Sequence, residues 1–167
     1  MARTRSEIGR RSRQQGKEYE RGFARYLRER YPGADVRRAS QAERAANSDV
    51  FVVFPGQGPY LLTRIWWELT RGASPNVPAK LVQAERDCLR NGHTGGPGWR
   101  IPVVVWNLRG ARREDAVTLR ASELLKLTST AAYLQPGPAV PGWNPMLTLG
   151  LDAFLVLLEK VPAALVG

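Results

Sequence analysis

Two apolar runs lie close together in this chain, and each carries one carboxylate. The first is Asp49-Val50-Phe51-Val52-Val53-Phe54 and the second Leu61-Leu62-Thr63-Arg64-Ile65-Trp66-Trp67-Glu68-Leu69-Thr70. Pro55-Gly56-Gln57-Gly58-Pro59 separates them, which is a strong turn signal. Both runs read as strands, so the pair reads as a hairpin. Asp is a poor strand residue, and Glu68 follows two tryptophans. Two acids held close in a half-buried sheet repel unless a proton or a cation stands between them. Symmetric pairing about a five-residue turn sets Asp49 opposite Ile65, which puts Asp49 and Glu68 on opposite faces. The two carboxylates meet only if the register shifts by one or a bulge intervenes.

The elements around the hairpin alternate between helix and strand. A basic arm is expected over residues 1–12. A helix follows from about Arg13 to Arg30, with Ser12 and Gln15 resembling a capping box. Tyr19, Phe23, Tyr26 and Leu27 share one face of it, and Glu20 stands at the edge of that stripe. Ala34–Ala39 reads as a short strand with Val36 inward. Gln41–Asn47 sits in a polar loop, and Asp49–Phe54 is apolar enough to be covered on both faces. Ser74 and Pro75 suggest the start of a second helix, which runs to about Arg90 and is ended by Asn91-Gly92. Lys80, Gln83 and Asp87 form a polar row on it, with Asp87 read as solvated. The glycine-rich loop 93–100 lacks the Lys-Ser/Thr pair of a phosphate-binding loop, and His93 reads as a surface residue. Ile101–Asn107 is a continuous apolar strand. After the charged turn 109–115, Ala116–Leu119 reads as a strand and Ser122–Leu127 as a short helix. Near Tyr133 the composition changes to a Pro/Gly-rich connection, and an amphipathic helix spans Leu151–Lys160. It must pack on the domain or on a second subunit. Val117-Thr118-Leu119 is weakly echoed by Leu147-Thr148-Leu149.

Charge narrows the partners. The formal net charge is +10 and the pI about 10.6, which points to a polyanion, with nucleic acid first. From Met1 to Arg44 there are thirteen Lys and Arg against six Asp and Glu, a segment fit to contact phosphates without reading bases. Arg10, Arg11, Arg13, Lys17, Arg37, Arg38 and Arg71 are the candidate nucleic-acid contacts. A lone cysteine, Cys88, permits no internal disulfide, and together with a lone His93 it makes no structural zinc site. No apolar stretch reaches membrane-spanning length, and the N-terminus lacks a secretory apolar run. The expected compartment is the cytoplasm of a bacterial cell or a phage-infected host.

In this order the pieces resemble the PD-(D/E)XK nuclease superfamily, in particular its small Holliday-junction resolvases and phage-type endonucleases. The matching residues are Gly16-Lys17-Glu18-Tyr19-Glu20, Ser48-Asp49-Val50, Trp67-Glu68-Leu69-Thr70, Ala79-Lys80-Leu81-Val82-Gln83-Ala84 and Pro102-Val103-Val104-Val105-Trp106. The resemblance covers about residues 13–127. It implies an α/β fold with a restriction-endonuclease-like core, a mixed central sheet of four to five strands flanked by helices. The nuclease domain would then be 13–130, followed by the connection and C-terminal helix over 131–167. It further implies Mg²⁺-dependent phosphodiester hydrolysis, with Mn²⁺ as a possible substitute, since an oxygen-only ligand set suits these ions. Asp49, Glu68 and the Leu69 carbonyl would hold the ion, while Glu20 and Gln83 would complete the site. The family pattern has a lysine two residues after Glu68, where this chain has Thr70. Lys80 is the substitute within reach, while Arg71, on the other face and always protonated, is no base. The expected activity is cleavage of branched or junction DNA by a homodimer, with exposed tryptophans or the last helix as interface. The alternatives are a catalytically silent DNA-binding module and an RNA-binding protein that only mimics the acid spacing.

Overall fold

Trp66, Trp67 and their flanking β-formers set the centre of the molecule, because a strand buried on both faces needs apolar side chains pointing both ways. The computed structural model describes residues 5–40, 48–55, 58–93, 98–108, 115–132 and 144–160. The element order is α1 (Arg5–Arg30), β1 (Asp35–Arg38), β2 (Val50–Val53), α2 (Tyr60–Thr63), β3 (Ile65–Gly72), α3 (Val77–Arg90), β4 (Ile101–Leu108), β5 (Ala116–Arg120), α4 (Ala121–Ala132), β6 (Met146–Gly150) and α5 (Leu151–Glu159).

The strands form one six-stranded mixed sheet in the order β1-β2-β3-β4-β5-β6. Only β3 and β4 run parallel, joined through α3; every other neighbouring pair is antiparallel. Ile65, Trp67 and Leu69 of β3, with Ile101, Val103 and Val105 of β4, face a large core that holds Phe23 and Leu27 of α1 and Phe154, Leu155 and Leu158 of α5. Trp66 faces the other way, onto Ala84 and Cys88 of α3. This alternation is the period of two expected of a strand. Burial raises the Cys88 thiol to about 12, so it acts as a small core side chain.

Several sequence expectations are corrected. The sheet has six strands, not four or five. The sixth is the Leu147-Thr148-Leu149 echo, which pairs directly with β5 so that Thr148 stands opposite Thr118. Their hydroxyls bond at 2.8 Å, and Trp106 Nε1 donates to Thr118 at 3.0 Å. The basic arm is helical from Arg5, because arginine, glutamate and glutamine are good helix formers and an established helix propagates cheaply. Ser12 and Gln15 therefore lie inside α1 rather than capping it. Leu61 and Leu62 fold into α2 instead of β3, so no tight hairpin turn joins β2 to β3. Strand β2 is covered less than its composition suggests, with Val53 53% exposed. Helix α3 is capped by Asn76, whose Oδ1 accepts from Ala79 N at 3.1 Å. Ser74 is thus outside the helix and Pro78, not Pro75, lies in its first turn. Trp66 and Trp67 are buried, and Leu151, Phe154, Leu155 and Leu158 of α5 pack into the core. The loop 41–47, the tip of the glycine-rich loop at 94–97, the charged turn 109–114 and the Pro/Gly-rich connection 133–143 lie outside the described residues.

Candidate active site

The register between β2 and β3 decides whether the two acids can cooperate. Val50 is the partner of Trp67, while Asp49 N–H also donates to the Trp67 carbonyl, at 2.8 Å. Two residues addressing one is the pattern of a β-bulge. Asp49 is brought past the end of the ladder, and its Oδ2 accepts from Leu69 N–H at 2.9 Å. The carboxylate therefore rests on the residue directly after Glu68. In an extended strand one residue's N–H and C=O point to the same side, so the Leu69 carbonyl lies on the β2 side of β3.

Glu68 projects from β3 toward α3. It is 7% exposed, and Lys80 Nζ donates to its Oε1 at 2.7 Å. Lys80 also donates to Gln83 Oε1 at 3.3 Å, so Lys80 meets the strand acid directly and Gln83 is joined to it through Lys80. Burial holds the Glu68 carboxyl above the usual carboxylate range; Lys80 opposes this, and the charges of Asp87 and Glu20 add to it. A buried acid with raised proton affinity, surrounded by other acids, is a place where positive charge is stabilised.

Glu20 is buried at 7% exposure, contrary to the usual fate of a helix glutamate. It pairs with the Arg38 guanidinium of β1. Helix α1 packs on β1 and β3, which carries Glu20 to the site. The structure thus joins Glu68, Lys80 and Gln83 by direct bonds, sets Asp49 on Leu69, and brings Glu20 into the electrostatic field of Glu68. Among the described residues, no three acids, histidines or cysteines converge as a ready metal cluster; Arg38 and Lys80 instead provide positive charge beside Glu20 and Glu68.

The nucleic-acid candidates divide in two. Arg10, Arg11, Arg13 and Lys17 are exposed on α1. Arg37 is exposed with its guanidinium 4.6 Å from the Phe51 ring centre, and Arg71 lies 5.8 Å from that of Tyr19. Arg38 is turned inward to Glu20 and belongs to the site. That pairing and the influence of Asp87 on Glu68 were missed from sequence. Asp87 was detectable, since it continues the Lys80–Gln83 row, but its half-buried position was not.

Thr70, where the family pattern has lysine, pairs across the parallel register with Trp106. Comparison of the chain with protein-family models, with curated proteins and with solved structures returns no match.

Proposed function

We propose that this protein is a divalent-metal-dependent DNA endonuclease with a restriction-endonuclease-like core, selective for branched or junction DNA. The order helix, three antiparallel strands, helix, strand parallel to the third supports that core. The observation that carries the reading is the Lys80–Glu68 pair at 2.7 Å, formed next to the residue on which Asp49 rests. It returns a lysine to an acid pair from a helix, where Thr70 leaves none on the strand.

The donor types suit a hard cation: two carboxylates and a backbone carbonyl, with only oxygen among them. Asp49, Glu68 and the Leu69 carbonyl would hold Mg²⁺ or Mn²⁺, which when bound stabilises charge on a phosphate and lowers the pKa of water. Glu68 anchors Lys80, and Gln83 limits the positions its ammonium can take. Lys80, once Glu68 is engaged elsewhere, would be free to orient the attacking water and to stabilise the charge that develops on it. Arg38 neutralises Glu20 and sets how much negative charge the site presents to a phosphodiester.

A second reading is favoured by one observation. Lys80 and Arg38 already offset the buried acids, as a protein that keeps the fold for binding alone would need. One experiment separates the two readings. Wild type and Asp49→Ala are incubated with four-way-junction and linear DNA, with and without Mg²⁺. The nuclease reading expects metal-dependent strand cuts by wild type, preferring the junction, and none by Asp49→Ala. Binding without cutting establishes the silent module, and equal cutting by Asp49→Ala removes the site assignment.

A further inference from the structure

Helix α1 is longer than its packing requires. Its buried residues are Tyr19, Glu20, Phe23, Ala24 and Leu27, all in its C-terminal half. The half before Tyr19 extends about 20 Å at 1.5 Å per residue and supplies no buried side chain among its described residues.

Arg10, Arg13, Lys17, Arg21, Arg25 and Arg28 are all exposed. Their spacings of three and four place them within an arc of about 120°, in a stripe roughly 27 Å long. The acids of this span, Glu18 and Glu20, fall outside that arc. Among the described residues, Arg10, Arg13, Lys17, Arg21 and Arg25 have no ion pair. Like charges four apart, as at Arg13–Lys17, Lys17–Arg21 and Arg21–Arg25, each weaken a helix by about 0.2–0.5 kcal/mol. These like charges repel along one line, and a parallel line of negative charge would relieve that repulsion.

We infer that this stripe is a phosphate-tracking rail for one B-form duplex arm of the DNA substrate. It passes Glu20 of the candidate active site, with Arg10, Arg13 and Lys17 on the free half of α1 and Arg21, Arg25 and Arg28 on the exposed side of the packed half. The inference rests on the proposed DNA-acting function and adds where a duplex arm lies. A free α-helix about 10–12 Å across fits the major groove of B-DNA, about 12 Å wide; the narrow major groove of A-form RNA does not admit it. The partner is therefore duplex DNA rather than duplex RNA.

The test measures binding of a labelled blunt DNA duplex, and of a duplex RNA of the same length, in EDTA over a series of salt concentrations. It compares wild type, Arg13→Gln/Lys17→Gln/Arg21→Gln, and a control of equal charge change, Arg86→Gln/Arg90→Gln/Lys160→Gln. Each phosphate contact contributes roughly 0.9 to the salt slope, so the stripe variant should lose about 2 to 3 from it, with at least a tenfold loss of affinity at moderate salt. The control should keep nearly the wild-type slope. Far-UV circular dichroism checks that the stripe variant stays folded, and removing like-charge pairs should not lower its helicity. Equal effects of the two variants would show binding by net charge alone and overturn the rail. So would an unchanged slope in the stripe variant, or duplex RNA binding as tightly as DNA. Because no divalent ion is present, failure of wild type to cut DNA would refute the nuclease reading while leaving this result standing.

Discussion

Replacing Lys80 with methionine keeps the length of the side chain and removes its charge, leaving Glu68 without its hydrogen-bonded cation. Breaking a buried ion pair costs about 3–5 kcal/mol, while exposed pairs contribute about 0–1 kcal/mol. Here the Glu68 side chain is 9% exposed and that of Lys80 35%, so water reaches one end of the pair. The expected loss lies between the limits, about 1–3 kcal/mol near pH 8. For a chain of this size, that lowers Tm by roughly 2–12 °C. The loss should depend on pH, and its sign follows from the two influences on Glu68. Burial already holds its carboxyl above the usual range, and Lys80 is the main group pulling it down. Without Lys80 the folded-state pKa rises further. A carboxyl whose folded pKa exceeds its unfolded one costs stability above the folded pKa and nothing below the unfolded one. The penalty of Lys80→Met should therefore be largest at mildly alkaline pH and fade as pH falls through the raised Glu68 pKa. Glu68→Gln/Lys80→Met should recover most of the loss. Denaturant melts of wild type, the single variant and the double variant from pH 8 to pH 5 measure this. A loss independent of pH, or a double variant less stable than Lys80→Met, would refute the reasoning.

Other expectations concern the rest of the fold. Glu68→Gln alone should raise stability at neutral pH by about 0.5–2 kcal/mol, as for other residues kept for function at the expense of stability, while abolishing metal-dependent cutting; calorimetry and a cleavage assay read the two effects. Phe154→Ala, at a fully buried position beside Trp67, should cost about 3–5 kcal/mol in denaturant melts. Asn76→Ala removes the cap of α3 and should cost about 1 kcal/mol, seen as a Tm lower by a few degrees. Glu159 bonds Tyr31 and Arg30, and the Tyr31 hydroxyl is the larger influence holding its carboxyl below the usual range. Its contribution is present above the unfolded pKa and is lost as pH falls through the folded one. Glu159→Gln should therefore destabilise at pH 7 and match wild type in acid.

The parts of the fold read most readily from sequence were those whose pattern repeats. The faces of β3, the apolar stripe of α1 from Tyr19 to Leu27, the span of α5 and the end of α3 at Asn91-Gly92 follow from periodicity and glycine chemistry. The Lys80–Gln83 row was also legible, because spacings of three and four fix a helical face. The register of β2 on β3 was not. It depends on a bulge at Asp49 and on the α2 turn, and short apolar Leu61-Leu62 fits helix or strand equally well. Strand β6 was hidden because alternation over five residues is weak and its partner lies across a long connection; the Val-Thr-Leu and Leu-Thr-Leu echo was its only trace. Glu20 illustrates the remaining gap. Its burial depends on Arg38, eighteen residues away, which no local pattern announces.

The most direct test of the central claim is single-turnover cleavage of a labelled four-way junction in Mg²⁺ by wild type and Lys80→Gln, with DNA affinity measured in parallel. If Lys80 does the work of the lysine that Thr70 replaces, wild type cuts and Lys80→Gln is slower by about 10²–10⁴-fold, with affinity nearly unchanged. No cutting by wild type, or equal rates for the two proteins, would contradict it.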